Sequence, residues 1–598
     1  MTPKAETASD TCDPVRLEII VGAMRAMLDE MGALIERTAM SAMIREKKDY
    51  FVAIFDPQAR MVAGTMLPLF GQIVRPLLDQ YPLQAMRPGD IYLFNDCYGT
   101  GGAVSHSPDL VFIAPVFQDG AVCGFVQSWG HFGDIGGTQP GSISPTATSI
   151  FHEGILIPPV RLYREGVLND ELVRLIERNC RFPDTTRGDM RSLIAAVRLG
   201  ERRLQELLER FGQSVVLGGF RQIQDRTERR ARHLFGEVFK AGRYHGHDSV
   251  DTDGHGNGPF TIRMRMEVDE GSVSIDATGS DDQAVGPINF IMQPVVPSLF
   301  FGIYLSAQDP PEMLNDGMTR LIDEVKLRPG SLIQPRFPAP LGQRSLTWLR
   351  SQTALLALLN KAAPAKGMAS FPAYTFYFLR GVDPTSHDEF LLTDGVAVGY
   401  GGRAFADGHD AVYFIAQENY PAEFLNANYP VRLLRYEVRC DSGGPGRYRG
   451  GCGVIREIEM LGDDFLVSTR IDATLNTPWG VHGGQSGRPG RAVLNPGRAD
   501  ERALPALSDG TRLRRGDVLR IETGGGGGFG HPFDRPADAV RRDVLKGFVS
   551  LASAQDDYGV VLGDENRNLE IDLAGTERRR AHRPATKLFH RNAYLDEL

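Results

Sequence analysis

Apolar residues recur at spacings of three and four between positions 17 and 34, at Leu17, Ile20, Met24, Met27, Met31 and Leu34. That period lines one face of a helix, and Asp13 followed by Pro14 supplies a cap and a first-turn residue. The spacing therefore predicts a packed helix opening at Asp13-Pro14. Short apolar runs at Tyr50–Phe55, Ile91–Phe94, 110–117 and 121–127 read as strands. Charged, leucine-rich stretches at 170–180 and 188–211 read as amphipathic helices, and the basic run 226–232 as the solvated face of another. Strands return at 260–268 and 272–277 around a turn at Asp269, Glu270 and Gly271. Beyond residue 390 the chain is glycine-rich with short β-like runs, and residues 524–528, all glycine, read as an array of tight turns. The pattern predicts an α+β, multidomain chain: a helical and sheet-containing N-terminal half and a β-rich C-terminal part. The divisions fall at 1–235, 236–430, 431–535 and 536–598.

A length of 598 residues is several times that of a typical domain, so more than one core is expected. A net charge of -9 gives no general attraction for phosphate backbones or anionic membranes, which argues against nucleic-acid and membrane partners. Cysteines at 12, 97, 123, 180, 440 and 452 are too sparse for a disulfide scaffold, and no pair has CxxC spacing. The first ten residues hold no apolar stretch for a signal peptide, and the most apolar window, 294–307, is too short to span a bilayer. These features point to a cytoplasmic protein. Glycine is in excess, at 67 residues without a collagen-like period, and the expectation is many tight turns.

The strongest chemical signal lies between residues 95 and 137. Extended, His106 and Asp109 would stand about 10 Å apart, too far to share an ion. Pro108 and the nearby glycines favour a bend that brings them together. A hairpin folded about Asp119-Gly120 places residue 130 opposite Asp109 and His131 opposite Pro108. Two imidazoles and a carboxylate are a ligand set for Zn²⁺, Mn²⁺ or Fe²⁺, ions that activate water near neutral pH. With 13 histidines in the chain, chance pairs also arise, and spacing alone leaves both readings open. Glu153 follows this segment as a candidate general base, with a surface-turn residue as the equal alternative. For Cys97 a buried, inert thiol is favoured over a nucleophile.

The segment around His106, Asp109 and His131 resembles the hydantoinase B/oxoprolinase family, the metal-carrying subunits of ATP-dependent lactam and imide hydrolases and of related ketone carboxylases. The resemblance runs in order through Asp13-Pro14-Val15-Arg16-Leu17-Glu18, Asn95-Asp96-Cys97-Tyr98, Asp134-Ile135-Gly136-Gly137 and Arg187-Gly188-Asp189. It continues through Gly286-Pro287-Ile288-Asn289, the glycine-rich stretch 441–451, Gly527-Gly528-Phe529-Gly530 and Asp557-Tyr558-Gly559-Val560. It implies a hydantoinase B-like fold, and a divalent metal, zinc first and Mn or Fe as alternatives, held by Asp49, His106, Asp109 and His131. No GxxxxGK[ST] loop is present, which fits ATP being bound by a separate hydantoinase A-like subunit. A hetero-oligomer, such as two copies of each subunit, follows from that. The implied activity is ATP-dependent hydrolysis of a small cyclic amide such as a hydantoin, oxoproline or lactam, phosphorylated by the partner. The chain departs from the family in having Cys97 for a common proline and a single histidine before Phe132, and Trp129-Gly130-His131 with Asp134-Ile135-Gly136-Gly137 looks closer to acetophenone-type carboxylases. A subunit of an acetophenone- or acetone-type ketone carboxylase is therefore the alternative, and a non-catalytic scaffold a third reading.

Overall fold

In the computed structural model the described residues are 12–65, 71–269, 272–306, 314–413, 417–563, 569–583 and 588–591. The first helix, Pro14–Thr38, starts where the spacing places it: the Asp13 carboxylate accepts from the N–H groups of Val15 and Arg16, each at 3.1 Å. Leu17, Ile20, Met24, Met27 and Met31 form its buried stripe.

Seven antiparallel strands form the N-terminal sheet: β1 (Tyr50–Phe55), β2 (Met61–Gly64), β3 (Ile91–Phe94), β4 (Asp109–Gln118), β5 (Ala121–His131), β6 (Val160–Arg164) and β7 (Val167–Leu168). Their order is β2-β1-β5-β4-β3-β6-β7. Val52, Ile54, Leu93, Phe112 and Val126 pack on one face against the first helix and the helices Pro183–Phe211 and Gln213–Val238. Phe51, Ala53, Phe94, Val111 and Trp129 face the other way, into the core shared with the central region. Both faces are covered, which is why β1 and β4 read as unbroken apolar runs rather than as alternating ones.

A second sheet, β8 (Gly242–Val250), β9 (Phe260–Asp269), β10 (Ser272–Asp276) and β11 (Glu324–Lys326), packs with the helix Ser345–Ala362 onto that core. The predicted turn between β9 and β10 includes Glu270 and Gly271, which lie outside the described residues. A third sheet joins β12 (Thr375–Val382) and β13 (Glu389–Val396) to β16 (Phe465–Arg470) and Leu507–Leu513, and so draws strands from both sides of residue 430. A fourth holds β14 (Val431–Val438), β15 (Val454–Met460), Val518–Glu522, Arg491–Leu494 and Arg502–Leu504. The fold is thus a mixture of helices and antiparallel sheets with several cores. Among the described residues no helix is long and apolar enough to cross a membrane.

The glycine tract at 524–528 corrects the expectation of tight turns. None of its five residues lies in a turn, and none has the left-handed φ of the turn types that select glycine. The tract is extended and buried, and its bonds radiate to several segments. Gly525 N–H donates to Arg488 O (3.2 Å), Gly526 to Gly451 O (3.0 Å), Gly527 to Ser370 O (2.8 Å) and Gly528 to Gln485 O (2.8 Å). Gly524 O and Gly527 O in turn accept from Gly399 and Gly402. Partners in one segment recur every third residue, the period of a polyproline II helix. A Cβ on Gly526 would lie 2.2 Å from Tyr400 O, and one on Gly527 2.1 Å from Trp479 O. Part of the glycine excess is therefore spent on packing bare backbones side by side.

Candidate metal centre

Three local features converge on one end of the N-terminal sheet. A turn in which Asp109 N–H donates to His106 O (3.2 Å) bends the chain at Pro108, as the proline suggested, and brings His106 Nε2 to 2.9 Å from Asp109 Oδ1. The β4–β5 hairpin delivers His131, but in a register one residue from the expected one: Asp109, not Pro108, stands opposite it. A bulge between Val116 and Phe117 absorbs the extra residue, Cys123. The bulge puts Asp109 and His131 on the same face of the sheet, which a regular hairpin would not. Pairing of β1 with β5 sets Tyr50 opposite Gly130, and His131 N–H donates to Asp49 O at 3.0 Å. Asp49 thereby joins the same corner.

His131 Nδ1 lies 3.2 Å from both His106 Nε2 and Asp109 Oδ1, and 4.0 Å from Asp49 Oδ2. Potential ligand atoms of His106, Asp109 and His131 lie within 4.8 Å of one another, all three residues are buried, and the group could hold a divalent metal. Two buried atoms here, His106 Nδ1 and Asp109 Oδ2, have no hydrogen-bond partner among the described residues. Burial, reinforced by the Arg344 guanidinium, depresses the His106 pKa to about 3, so its imidazole is neutral as a metal ligand must be. Burial pushes Asp109 up, but His106, His131 and Arg344 outweigh it and hold the carboxyl well below its usual range. Burial is also the main influence on Asp49, and it raises that carboxyl against the pull of His131. An ionised Asp49 in this position calls for a cation.

The recess over this corner is built from parts far apart in sequence. Met43, Asp49, His106, Asp109, Trp129 and His131 come from the N-terminal region. Gly342, Gln343, Arg344 and Ser345 come from the start of the helix Ser345–Ala362. Tyr374, Phe376 and Phe378 of the β12 region, with Gln417 and Arg470, close the other side. Arg344 Nη2 stands 3.6 Å from Asp109 Oδ2, and Arg344 Nε donates to Ser105 Oγ at 2.9 Å. None of the residues contributed by these later segments was picked out from sequence. The usable signal was an arginine and a serine at the mouth of a helix otherwise buried on every face.

Glu153, expected as a general base, does not line the recess. Its carboxylate is fully buried and accepts from the N–H groups of Leu341 (3.0 Å to each oxygen) and Gly342 (2.7 Å). Burial pushes it up to about 8 against those donors. Its geometry is that of a positioning residue for the turn carrying Gln343 and Arg344. Two asparagines from the ordered motifs do related work. Asn95 donates to Ser107 O and Ile155 O, fixing the His106 turn, and Asn289 donates to Pro340 O. Cys97 is buried, its thiol pushed well up by desolvation, and lies outside the recess lining. The glycines near His131 also serve packing: a Cβ on Gly130 would strike Ile44 Cδ1 at 2.8 Å.

The model of the hydantoinase B/oxoprolinase family matches residues 13–532. The chain is 30% identical to the beta component of the caprolactamase of Pseudomonas jessenii, over 96% of this chain and 100% of that protein. It is 28% identical to the B component of a putative D-/L-hydantoinase of Pseudomonas sp. (strain NS671), over 96% and 99%. Among solved structures it is similar to the ATP-dependent caprolactamase of Pseudomonas jessenii, with a TM-score of 0.83, 27% identity and coverage of 96% and 100%. A nucleotide-free acetone carboxylase shares the fold, with a TM-score of 0.82, 18% identity and coverage of 95% and 82%.

Proposed function

The chain belongs to the hydantoinase B/oxoprolinase family, and on that premise we propose that it is the metal-carrying catalytic subunit of an ATP-dependent cyclic-amide hydrolase. The observation that carries the reading is the convergence of His106, Asp109 and His131 at the floor of a recess, with buried atoms left unsatisfied. Those donors fit a divalent ion: two imidazole nitrogens and one carboxylate, with Asp49 beside them as a fourth ligand. Zinc suits that set best, with Mn or Fe as alternatives. When bound, such an ion supplies Lewis acidity toward a carbonyl or phosphoryl oxygen and acidifies water.

The chain's own residues do the rest. Asp109 stays anionic through His106, His131 and Arg344, against its burial, while burial and Arg344 keep His106 neutral. Glu153 fixes the turn that delivers Gln343 and Arg344, and the β12 wall excludes water from one side of the recess. Phosphorylation of the substrate falls to a hydantoinase A-like partner, since relatives are named as the B or beta components of larger enzymes. Together the two make a hetero-oligomer acting on a small molecule.

A second reading, subunit of an acetophenone- or acetone-type ketone carboxylase, draws support from the aromatic residues Trp129, Tyr374, Phe376 and Phe378 around the recess. One experiment tests both. The co-purified complex is assayed for metal content and for ATP-dependent turnover of lactams, hydantoins and aryl ketones, with and without bicarbonate. Ring opening that needs ATP and metal is the expected result. Bicarbonate-dependent product from a ketone without ring opening would replace it with the second reading. Full activity of a His106→Ala, His131→Ala double variant would leave only the scaffold reading.

A further inference from the structure

Opposite the histidines, the recess carries two arginines that the metal set does not use. Arg470, at the end of β16, is 2% exposed and lines the recess. Its Nη1 donates to Ser345 Oγ, its Nη2 to Tyr374 O at 2.5 Å, and its buried Nε has no hydrogen-bond partner among the described residues. Arg344 lies beside Asp109 at 3.6 Å. Both guanidinium groups meet at the N-terminus of the helix Ser345–Ala362, which no side chain caps and whose first residue, Ser345, also lines the recess. A helix of this length carries partial positive charge at that end.

Charge arithmetic tells what such a place is for. Arg344 and Arg470 contribute two positive charges and Asp49 and Asp109 two negative ones, so the recess is balanced before an ion binds. A divalent ion leaves two positive charges in surroundings largely shielded from water, a setting that favours a dianion. Arginines, unlike lysines, offer the flat paired donors that match phosphoryl oxygens. Beside them, Met43, Ile143, Phe376 and Phe378 form a small apolar cluster separate from the main cores, with Phe376 and Phe378 stacked at 5.7 Å.

We propose that Arg344 and Arg470, with the N-terminus of the helix Ser345–Ala362, form a subsite for the phosphoryl group of an anionic substrate, and that Phe376 and Phe378 seat its apolar, preferably aromatic, body. The choice of phosphoryl among anions rests on the ATP-dependent reading above; the anion subsite itself rests on the residues.

Binding to the full chain loaded with zinc tests the proposal by calorimetry, with inorganic phosphate, methylphosphonate and phenylphosphonate as probes. Phenylphosphonate is expected to bind tightest of the three. Arg344→Met should weaken all three at least tenfold while zinc content, read by elemental analysis, stays unchanged, and Arg344→Lys should recover part of the loss. Phe378→Leu should abolish the preference for phenyl over methyl and leave inorganic phosphate unaffected. Arg470→Lys keeps the buried charge and covers the case in which Arg470→Met fails to fold; it should weaken phosphonates through loss of the paired donors. Phosphonate binding within twofold of wild type in both Arg344→Met and Arg470→Lys overturns the subsite. Arginine-dependent binding without any ATP-dependent turnover by the complex would keep the subsite and remove the activity reading instead.

Discussion

Replacing Asp394 with asparagine should damage this protein far more than removing either of the cations it pairs with. Asp394, on β13, is fully buried, with Lys47 Nζ at 2.5 Å from Oδ1 and Arg456 Nη1 at 2.7 Å from Oδ2. Tyr377 OH donates to Oδ2 at 2.7 Å. The Arg456 contact is close but misaligned for a hydrogen bond, so it acts by charge alone, with the guanidinium 4.9 Å from the Tyr436 ring centre. One carboxylate thus faces two buried cations, and the cluster carries one net positive charge. Asp394→Asn leaves two buried cations unpaired, for which the cost of breaking a buried pair is about 3–5 kcal/mol. Lys47→Met leaves Arg456 and Asp394 as a neutral pair and fills the space with an apolar chain, and should cost no more than about 1–2 kcal/mol. Lys47 precedes Asp49 by two residues, and Glu418 N–H, next to Gln417 of the recess, donates to Lys47 O at 3.1 Å. The cluster therefore pins the Asp49 segment to the C-terminal wall. Calorimetric melting, together with zinc titration, reads both effects: Asp394→Asn should melt at least about 2 °C below wild type, given an unfolding entropy of about 1.3 kcal/mol per degree for a chain of this length, and bind zinc more weakly. Equal destabilisation by Lys47→Met, or an Asp394→Asn protein that melts with wild type, would refute the charge argument.

Three further outcomes follow from single side chains. Glu153 has a folded pKa of about 8 against an ordinary value of 4.5, so between those values the folded chain holds a proton that the unfolded chain has released. That difference makes stability fall as pH rises through the window, and Glu153→Gln should flatten this part of the melting profile between about pH 5 and 8.5; an unchanged slope would contradict the assignment. In the glycine bundle, Gly526→Ala puts a methyl 2.2 Å from the Tyr400 backbone, which cannot swing aside as a side chain can. A loss above about 3 kcal/mol, or failure to fold, is expected there, whereas Gly22→Ala, in a helix with nothing within 4 Å, should stabilise by about 0.5–1 kcal/mol. Finally, His131→Ala should reduce bound metal to a small fraction of one ion per chain, by elemental analysis, while leaving the far-ultraviolet circular dichroism of the fold intact.

How far the site was legible in the sequence depends on how far apart its parts lie. His106, Asp109 and His131 sit in one turn and one hairpin, so Pro108, Asp119-Gly120 and the apolar run between them announce the geometry. The one-residue register error arises at the Val116–Phe117 bulge. Its trace in sequence is Gly124, whose Cβ would meet Phe55 O at 2.6 Å, and a glycine within a strand suggests a bulge without fixing which residue is skipped. Arg344, Gln417 and Arg470 reach the same recess from more than 200 residues away, and no local period can report such a contact. The type of Glu153 and its place near the histidines single it out, but its carboxyl is held by two backbone donors from residues 341 and 342, which no pattern around position 153 could reveal.

The glycine tract shows why composition alone misled, and what the site gains from it. Glycine is required both where φ is positive and where two backbones touch, and an abundance of it does not separate the two cases. The hydrogen bonds do: a turn returns to its own neighbours, whereas the bonds of Gly525, Gly526, Gly527 and Gly528 reach three separate segments. One of them, to Ser370 O, holds the chain just before β12, where Ala373 N–H donates to Asp472 Oδ2 at 2.7 Å and the wall of Tyr374, Phe376 and Phe378 begins. The bundle thereby fixes the approach of the C-terminal wall to the corner of Asp49, His106, Asp109 and His131, built entirely from the first 131 residues. A substitution there would be felt in the shape of the recess, although no glycine of the tract touches it.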